Sequence, residues 1–152
     1  PIQMVAAVGA LANHGVLMKP HIVKQIIDPH RTIDIEPEAV RQAIKPETAE
    51  NMSRLMTESF DFFITNHARK DLEGYRIAGK TGTAQIPIQG HYDEEKVMAS
   101  FIGFAPSDDP KFVMIVALRE PKSANFASQT AAPLWFTIGK QLFNYWGIQP
   151  QK

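Results

Sequence analysis

The sequence predicts an α+β fold, with helices packed on an antiparallel sheet, and three observations carry that prediction. Apolar residues recur at helical spacing in three separate segments, near the start, in the middle and near the end of the chain. Between the second and third of these, three β-type runs follow one another directly, which favours a meander over parallel strands with crossover helices. A length of 152 residues, 44% hydrophobic and 21% charged, suffices for one core and does not demand a second domain.

The first segment, "PIQMVAAVGALANHG", places Ile2, Val5, Ala6, Val8, Leu11 and Ala12 on a helical face expected to be buried, with Gly15 suited to end the helix in a left-handed conformation. In "VLMKPHIVKQIIDPHRTIDIEP", β-branched residues mixed with Pro20, Pro29 and Pro37 predict two short edge strands around a turn at "DPHR". From Pro46, a second helix is expected with Ala49, Met52, Met56, Phe60 and Phe63 on one face, Pro46 and Glu47 suiting its first turn. The strand-like runs "YRIAGKTGTAQI", "KVMASFIGFAP" and "KFVMIVALREP" come next, the last two joined by the tight turn "SDDP". A third helix follows, with Trp135, Ile138, Leu142 and Tyr145 on one face, Pro133 near its start and Gly147 just past its end.

Composition excludes several function classes. Sixteen basic residues balance sixteen acidic ones and no basic stripe alternates with aromatics, so nucleic acid is not an expected partner. The chain has no cysteine, hence no disulfide or thiolate metal site. His14, His21, His30, His67 and His91 lack paired ligand spacing, so neither a metal nor a cofactor is expected. Asp93, Glu94 and Glu95 read as a solvated loop run. The apolar runs Ala99 to Pro106 and Phe112 to Leu118 are far shorter than the roughly 18 to 20 residues of a spanning helix. The first fifteen residues make a poor signal peptide.

One stretch carries chemistry, and it reads in two incompatible ways. In "GYRIAGKTGTAQI", Gly74 to Thr81 fits G-x-x-x-x-G-K-[ST], the phosphate-binding loop, while "GKTGTA" also reads as Lys-Thr-Gly on an active-site strand. A phosphate loop needs a helix starting at its lysine, whose positive end meets the anion. After Lys80 come "TGTAQIPIQG", where Gly82, Pro87 and Gly90 oppose a helix, and "YRIA" fills the would-be loop with a β-type run. The strand reading therefore prevails. On an extended chain Lys80 and Gly82 share one face, Thr81 and Thr83 the other. A glycine leaves room for a ligand backbone at the strand edge, and a cation beside hydroxyls suits a peptide that ends in a carboxylate.

These residues, with the order of the flanking segments "PIQMVAAVGALANHGVLMKPHIVK", "MASFIGFAPSDDPKFVMIVALREPK" and "TAAPLWFTIGKQLFNYWGIQP", make the chain resemble the C-terminal half of the transpeptidase domain in class B penicillin-binding proteins. The likeness covers Pro1 to about Pro150 and implies part of the fold shared by serine β-lactamases and penicillin-binding proteins. It implies that Lys80 is a cation supporting substrate binding and the electrostatics of a serine site. Thr81 and Thr83 would offer hydroxyls to the substrate carboxylate, the Thr83 N–H would form half of an oxyanion hole, and Gly82 would keep the strand open. Implied substrates and ligands are peptidoglycan stem peptides ending in D-Ala-D-Ala, cross-linked through an acyl-serine, and β-lactams. Other cell-wall synthesis or division proteins are implied partners. The implied location is the outer face of the bacterial cytoplasmic membrane, with an anchor upstream.

Ser53, Ser59, Ser100, Ser107, Ser123 and Ser128 are followed three residues later by Met, Phe, Gly, Pro, Phe and Ala, so no Ser-x-x-Lys nucleophile is present. "Ser123-Ala124-Asn125" fits Ser-x-Asn but follows the Lys-Thr-Gly strand, out of the family's order, and reads as a decoy. By the resemblance, residues 1–152 form the C-terminal part of one transpeptidase domain whose serine and Ser-x-Asn motifs lie upstream, and the chain alone does not complete a turnover. The glycines often seen in the family before the last helix and at the end of the second are replaced by "SANFASQTAAP" and "ESFDFFITNHARK". Two other readings stand beside this one, a β-lactamase or β-lactam sensor and a non-catalytic module or half of a split protein.

Overall fold

The computed structural model describes residues 1–66, 72–88 and 90–150. Helix α1 spans Ile2–Ala12, and its chain direction reverses where Gly15, at φ +86°, turns its N–H to the Ala10 carbonyl at 2.7 Å. A Cβ on Gly15 would run into the Ile44 carbonyl, so sterics and a left-handed backbone both require glycine there. Strand β1 (Val16–Met18) pairs antiparallel with β4 (Ala39–Gln42), and between them β2 (Gln25–Ile27) and β3 (Thr32–Asp34) form the expected hairpin. Asp28 makes its turn: one carboxylate oxygen accepts the N–H groups of His30 and Arg31 at 2.8 and 3.1 Å. The bond from His30 is the main reason that the Asp28 carboxyl titrates below its ordinary value. The β1–β4 pair was not anticipated, because three or four residues flanked by Pro20 and Pro37 carry too little alternation to read.

Helix α2 runs Pro46–Asn66, and three strands follow, β5 (Ala78–Ile88), β6 (His91–Ala105) and β7 (Phe112–Arg119). They form one antiparallel sheet in the order β5-β6-β7, the predicted meander. Helix α3 (Ala131–Trp146) closes the chain, with Gly147 at φ +65° as its left-handed cap. A short 3₁₀ turn, Ala127–Gln129, leads into it.

The core gathers on one sheet face. Thr81, Phe101 and Val116 stand opposite one another across β5, β6 and β7, and Phe101 meets Trp135 and Phe136 of α3 edge-on at 5.2 and 5.3 Å. Phe60 of α2 adds edges to Phe101 at 6.2 Å and to Phe136 at 5.4 Å. Such pairs add about 0.5–1.5 kcal/mol each beyond the area that they bury. The Trp135 indole N–H donates to the Met114 carbonyl at 2.9 Å, fixing α3 to β7. At the other end of α3, Tyr75 stacks on Phe143 at 4.4 Å, and the Lys140 ammonium donates to the Tyr75 hydroxyl at 3.0 Å.

Four expectations need correction. The face of α1 is not buried: Ile2 is 61% exposed, and Ala10 alone in the helix is fully covered. The buried face of α3 is Trp135, Phe136, Gly139 and Phe143, while Tyr145 is 81% exposed. Adjacent aromatics at 135 and 136 allow two phases, and the large ring of Phe136 won over Ile138 and Leu142. The loop expected at Asp93–Glu95 is instead backbone of β6, which begins at His91. On α2, Ala49 and Phe60 are buried as expected, but Met52 is 40% exposed. Phe63's side chain and His67 lie outside the described residues, as does part of the segment after α2 that lacks the family's glycines.

A Cβ at Gly79 would collide with the Phe101 ring, whereas one at Gly9 of α1 meets nothing within 4 Å. Gly79→Ala is therefore expected to destabilise the domain by about 1–3 kcal/mol. Gly9→Ala should be neutral or stabilise by up to about 1 kcal/mol, both read by urea unfolding.

Candidate active-site strand

Lys80, Thr81, Gly82 and Thr83 all lie in β5, opposite Ile102, Phe101, Ser100 and Ala99 of β6. Because β5 continues to Ile88, no helix starts at Lys80 and the phosphate-loop geometry is absent. Among the described residues β5 has a partner strand on one side only, so its other edge presents backbone groups outward.

The direction of those groups follows from two contacts. The exposed Lys80 side chain curls along the strand and donates its ammonium to the Thr81 carbonyl at 2.8 Å. Gly82 faces Ser100, whose hydroxyl lies 3.4 Å from the Gly82 carbonyl. Backbone groups alternate along an antiparallel strand, so the N–H and C=O of Thr83 point to the same outer side as the Thr81 carbonyl. An N–H there, beside a cation and flanked by hydroxyls, can meet negative charge on a ligand lying along the edge.

Space at Gly82 is tight on the Ser100 side: a Cβ would stand 2.8 Å from the Ser100 Oγ. The Thr83 hydroxyl oxygen, on an exposed side chain, accepts the Ala127 N–H at 3.2 Å. This bond ties the 3₁₀ turn to the strand and leaves Phe126, 65% exposed, at the rim. The structure places the four sequence-predicted residues consecutively in β5, and Ser100 and Ala127, which contact them, were not singled out from the sequence. Ser100 was legible only once the register was known, and the Ala127 contribution is a backbone N–H with no signature in the sequence. "Ser123-Ala124-Asn125", set aside as a decoy, immediately precedes the turn that reaches Thr83, although the contacts themselves come from Ala127.

Gly82→Ala is expected to displace the strand edge or the Ser100 side chain, and Ser100→Ala should rescue it by removing the oxygen that the new methyl meets. Urea unfolding of the single and double variants checks this, with a coupling of at least about 0.5 kcal/mol expected for such a contact pair.

Comparison with known proteins finds similarity along most of the chain. The sequence profile described as the penicillin binding protein transpeptidase domain matches residues 1–143. Stage V sporulation protein D of Bacillus subtilis is 42% identical over all of this chain and 24% of its own length. PbpB of Mycolicibacterium smegmatis is 37% identical over 93% of this chain and 23% of its own length. The chain thus spans about a quarter of these curated relatives. Among solved structures, penicillin binding protein 3 of Mycobacterium tuberculosis in complex with ampicillin superposes at a TM-score of 0.82, with 26% identity, covering 99% of this chain and 35% of that one. A peptidoglycan synthetase of Bifidobacterium adolescentis gives a TM-score of 0.83 and 25% identity over 99% of this chain and 27% of that one.

Proposed function

The chain belongs to the penicillin-binding protein transpeptidase family, and from that premise we propose that it forms the C-terminal wall of a serine D,D-transpeptidase site, with β5 as the substrate-binding strand. The observation that carries the reading is the β5 edge that has no partner strand among the described residues, with Lys80, Thr81, Gly82 and Thr83 in sequence along it.

In this reading a stem peptide ending in D-Ala-D-Ala lies against the β5 edge as an added strand, and its terminal carboxylate meets the Lys80 ammonium and the Thr81 and Thr83 hydroxyls. A serine from the upstream part of the domain attacks the penultimate carbonyl. The Thr83 N–H stabilises the oxygen that becomes negative, a donor of a kind whose removal typically slows such steps on the order of a hundredfold or more. The terminal D-Ala leaves with a proton as the acyl-serine forms. An amine of a second peptide then attacks that ester, forms the cross-linking amide and returns the proton to the serine. A β-lactam would enter the same cradle, its carboxylate in place of the peptide's.

The chain is proposed to be completed by an upstream half carrying Ser-x-x-Lys and Ser-x-Asn. That is supported by α1, which has no charged residue yet leaves Ile2 and Met4 exposed, and by β7, whose outer edge has no strand partner among the described residues. The working location is the outer face of the cytoplasmic membrane, where the wall substrate lies. No helix among the described residues is long and apolar enough to cross a membrane, so an anchor would come from elsewhere in the parent. Several relatives are named as peptidoglycan D,D-transpeptidases, which favours acyl transfer over deacylation to water.

The test is labelling of the full-length parent with a fluorescent penicillin, followed on a gel. Wild type is expected to label covalently, and Lys80→Ala to slow labelling by roughly tenfold to a hundredfold, the loss of one charge-assisted hydrogen bond. A folded parent that does not label would overturn the reading.

A further inference from the structure

We propose that Thr130 is a positioning residue for this site, acting through the Phe126–Ala127 peptide to aim the Thr83 hydroxyl proton at the ligand carboxylate. The inference rests on the transpeptidase reading above, and it concerns a residue that lies outside the Lys-Thr-Gly strand.

Thr130 is 7% exposed and stands at the N-cap of α3. A threonine there ordinarily turns its hydroxyl forward to a free N–H in the first helical turn, stabilising the helix by about 1 kcal/mol. This one makes no such cap. Its hydroxyl reaches back and donates to the Phe126 carbonyl at 2.9 Å. The Gln129 N–H donates to the same carbonyl at 3.0 Å, so both acceptor positions of that oxygen are engaged. The Phe126–Ala127 peptide is thereby fixed in orientation and polarised.

The other end of that peptide is the Ala127 N–H, which donates to the Thr83 Oγ at 3.2 Å. Ala127 is 1% exposed, so its N–H has no access to water and relies on the Thr83 oxygen, which sits on an exposed side chain. A hydroxyl has one proton and two lone pairs. With one lone pair taken by Ala127, the Thr83 proton is excluded from the direction of the 3₁₀ turn. On an exposed edge strand it is left to point away from the turn, toward a bound ligand. All the donors run the same way: Thr130 O–H to the Phe126 carbonyl, Ala127 N–H to the Thr83 oxygen, Thr83 O–H to the carboxylate. Aligned chains of this kind strengthen each member by polarisation. The relay carries no charge and no titrating group. Its effect is confined to ligands that present an anionic acceptor.

The experiment measures acylation of the full-length parent by a fluorescent penicillin and by its neutral ester, in which the carboxylate is masked. Thr130→Val is expected to lower the second-order acylation rate for the free acid by roughly threefold to tenfold, the loss from weakening one hydrogen bond. Thr130→Ser should restore it. The ester should react equally with wild type and Thr130→Val. In a Thr83→Val background, adding Thr130→Val should change nothing further, because the relay has lost its last member. If Thr130→Val does not fold, Thr130→Ala carries the same comparison.

Equal losses for acid and ester, or equal losses with and without Thr83, would mean that Thr130 only supports the fold, and would overturn the relay. An unchanged rate for the free acid would overturn it as well. If wild type fails to label at all, the transpeptidase reading fails first and takes the relay with it. Labelling of wild type with an indifferent Thr130→Val leaves the transpeptidase reading standing and removes the relay alone.

Discussion

The Phe101 ring lies over Gly79, where any side chain would displace it, and its edges meet rings from α2 and α3. Through this one aromatic, the strand that carries Lys80 and Thr83 is packed against both long helices. The missing side chain of Gly79 does as much for the site as the chemistry of Lys80, since it lets the core close directly behind the strand edge. Catalytic-type strands need such backing. A backbone N–H can stabilise a developing charge only if it is already aimed before the charge appears, and rigidity of that kind comes from dense packing rather than from the polar residues themselves.

Much of this was legible in the sequence, and the limits were physical. Helix and strand existence followed from periodicity because each long element buries one face. The phase of α3 did not, since Trp135 and Phe136 are neighbours and either phase places a large ring inward. The exposed face of α1 could not be foreseen from the helix itself, whose pattern demands a cover that the described residues do not supply. The start of β6 was misplaced because Asp93, Glu94 and Glu95 have the composition of a loop, while β6 runs through them between the pairs that Tyr92 and Val97 make with β5. At the site, side chains with distinctive chemistry were found and backbone contributors were not. Ala127 acts through an N–H that any residue but proline would supply.

Membership of the transpeptidase family also recasts the exposed apolar groups. Helix α1 carries no charged residue, and the curated relatives are about four times the length of this chain. On the proposed reading, Ile2 and Met4 are surfaces that a neighbour would cover rather than faults of the fold. The same holds for the outer edge of β7. The residues of the β5 edge, by contrast, are polar and cationic, as suits a surface reserved for a ligand that comes and goes.

Helix α3 touches the segment of β5 at two widely separated points. At its leading end the 3₁₀ turn grips Thr83, and some sixteen residues later Phe143 and Lys140 hold Tyr75, just before the strand begins. From Ala131 to Phe143 the helix rises about 19 Å, the turn that leads into it adds up to about 6 Å, and the eight residues from Tyr75 to Thr83 reach about 26 Å when extended. The helix and the strand are thus matched in length and run antiparallel, like the two jaws of a caliper closed on one gauge. A strand held at a single point can slide by a residue and exchange its faces. Held at both ends against a rigid rod, it has one allowed setting, and the place of Lys80 along the strand edge is graduated by the length of a helix on which Lys80 itself does not lie.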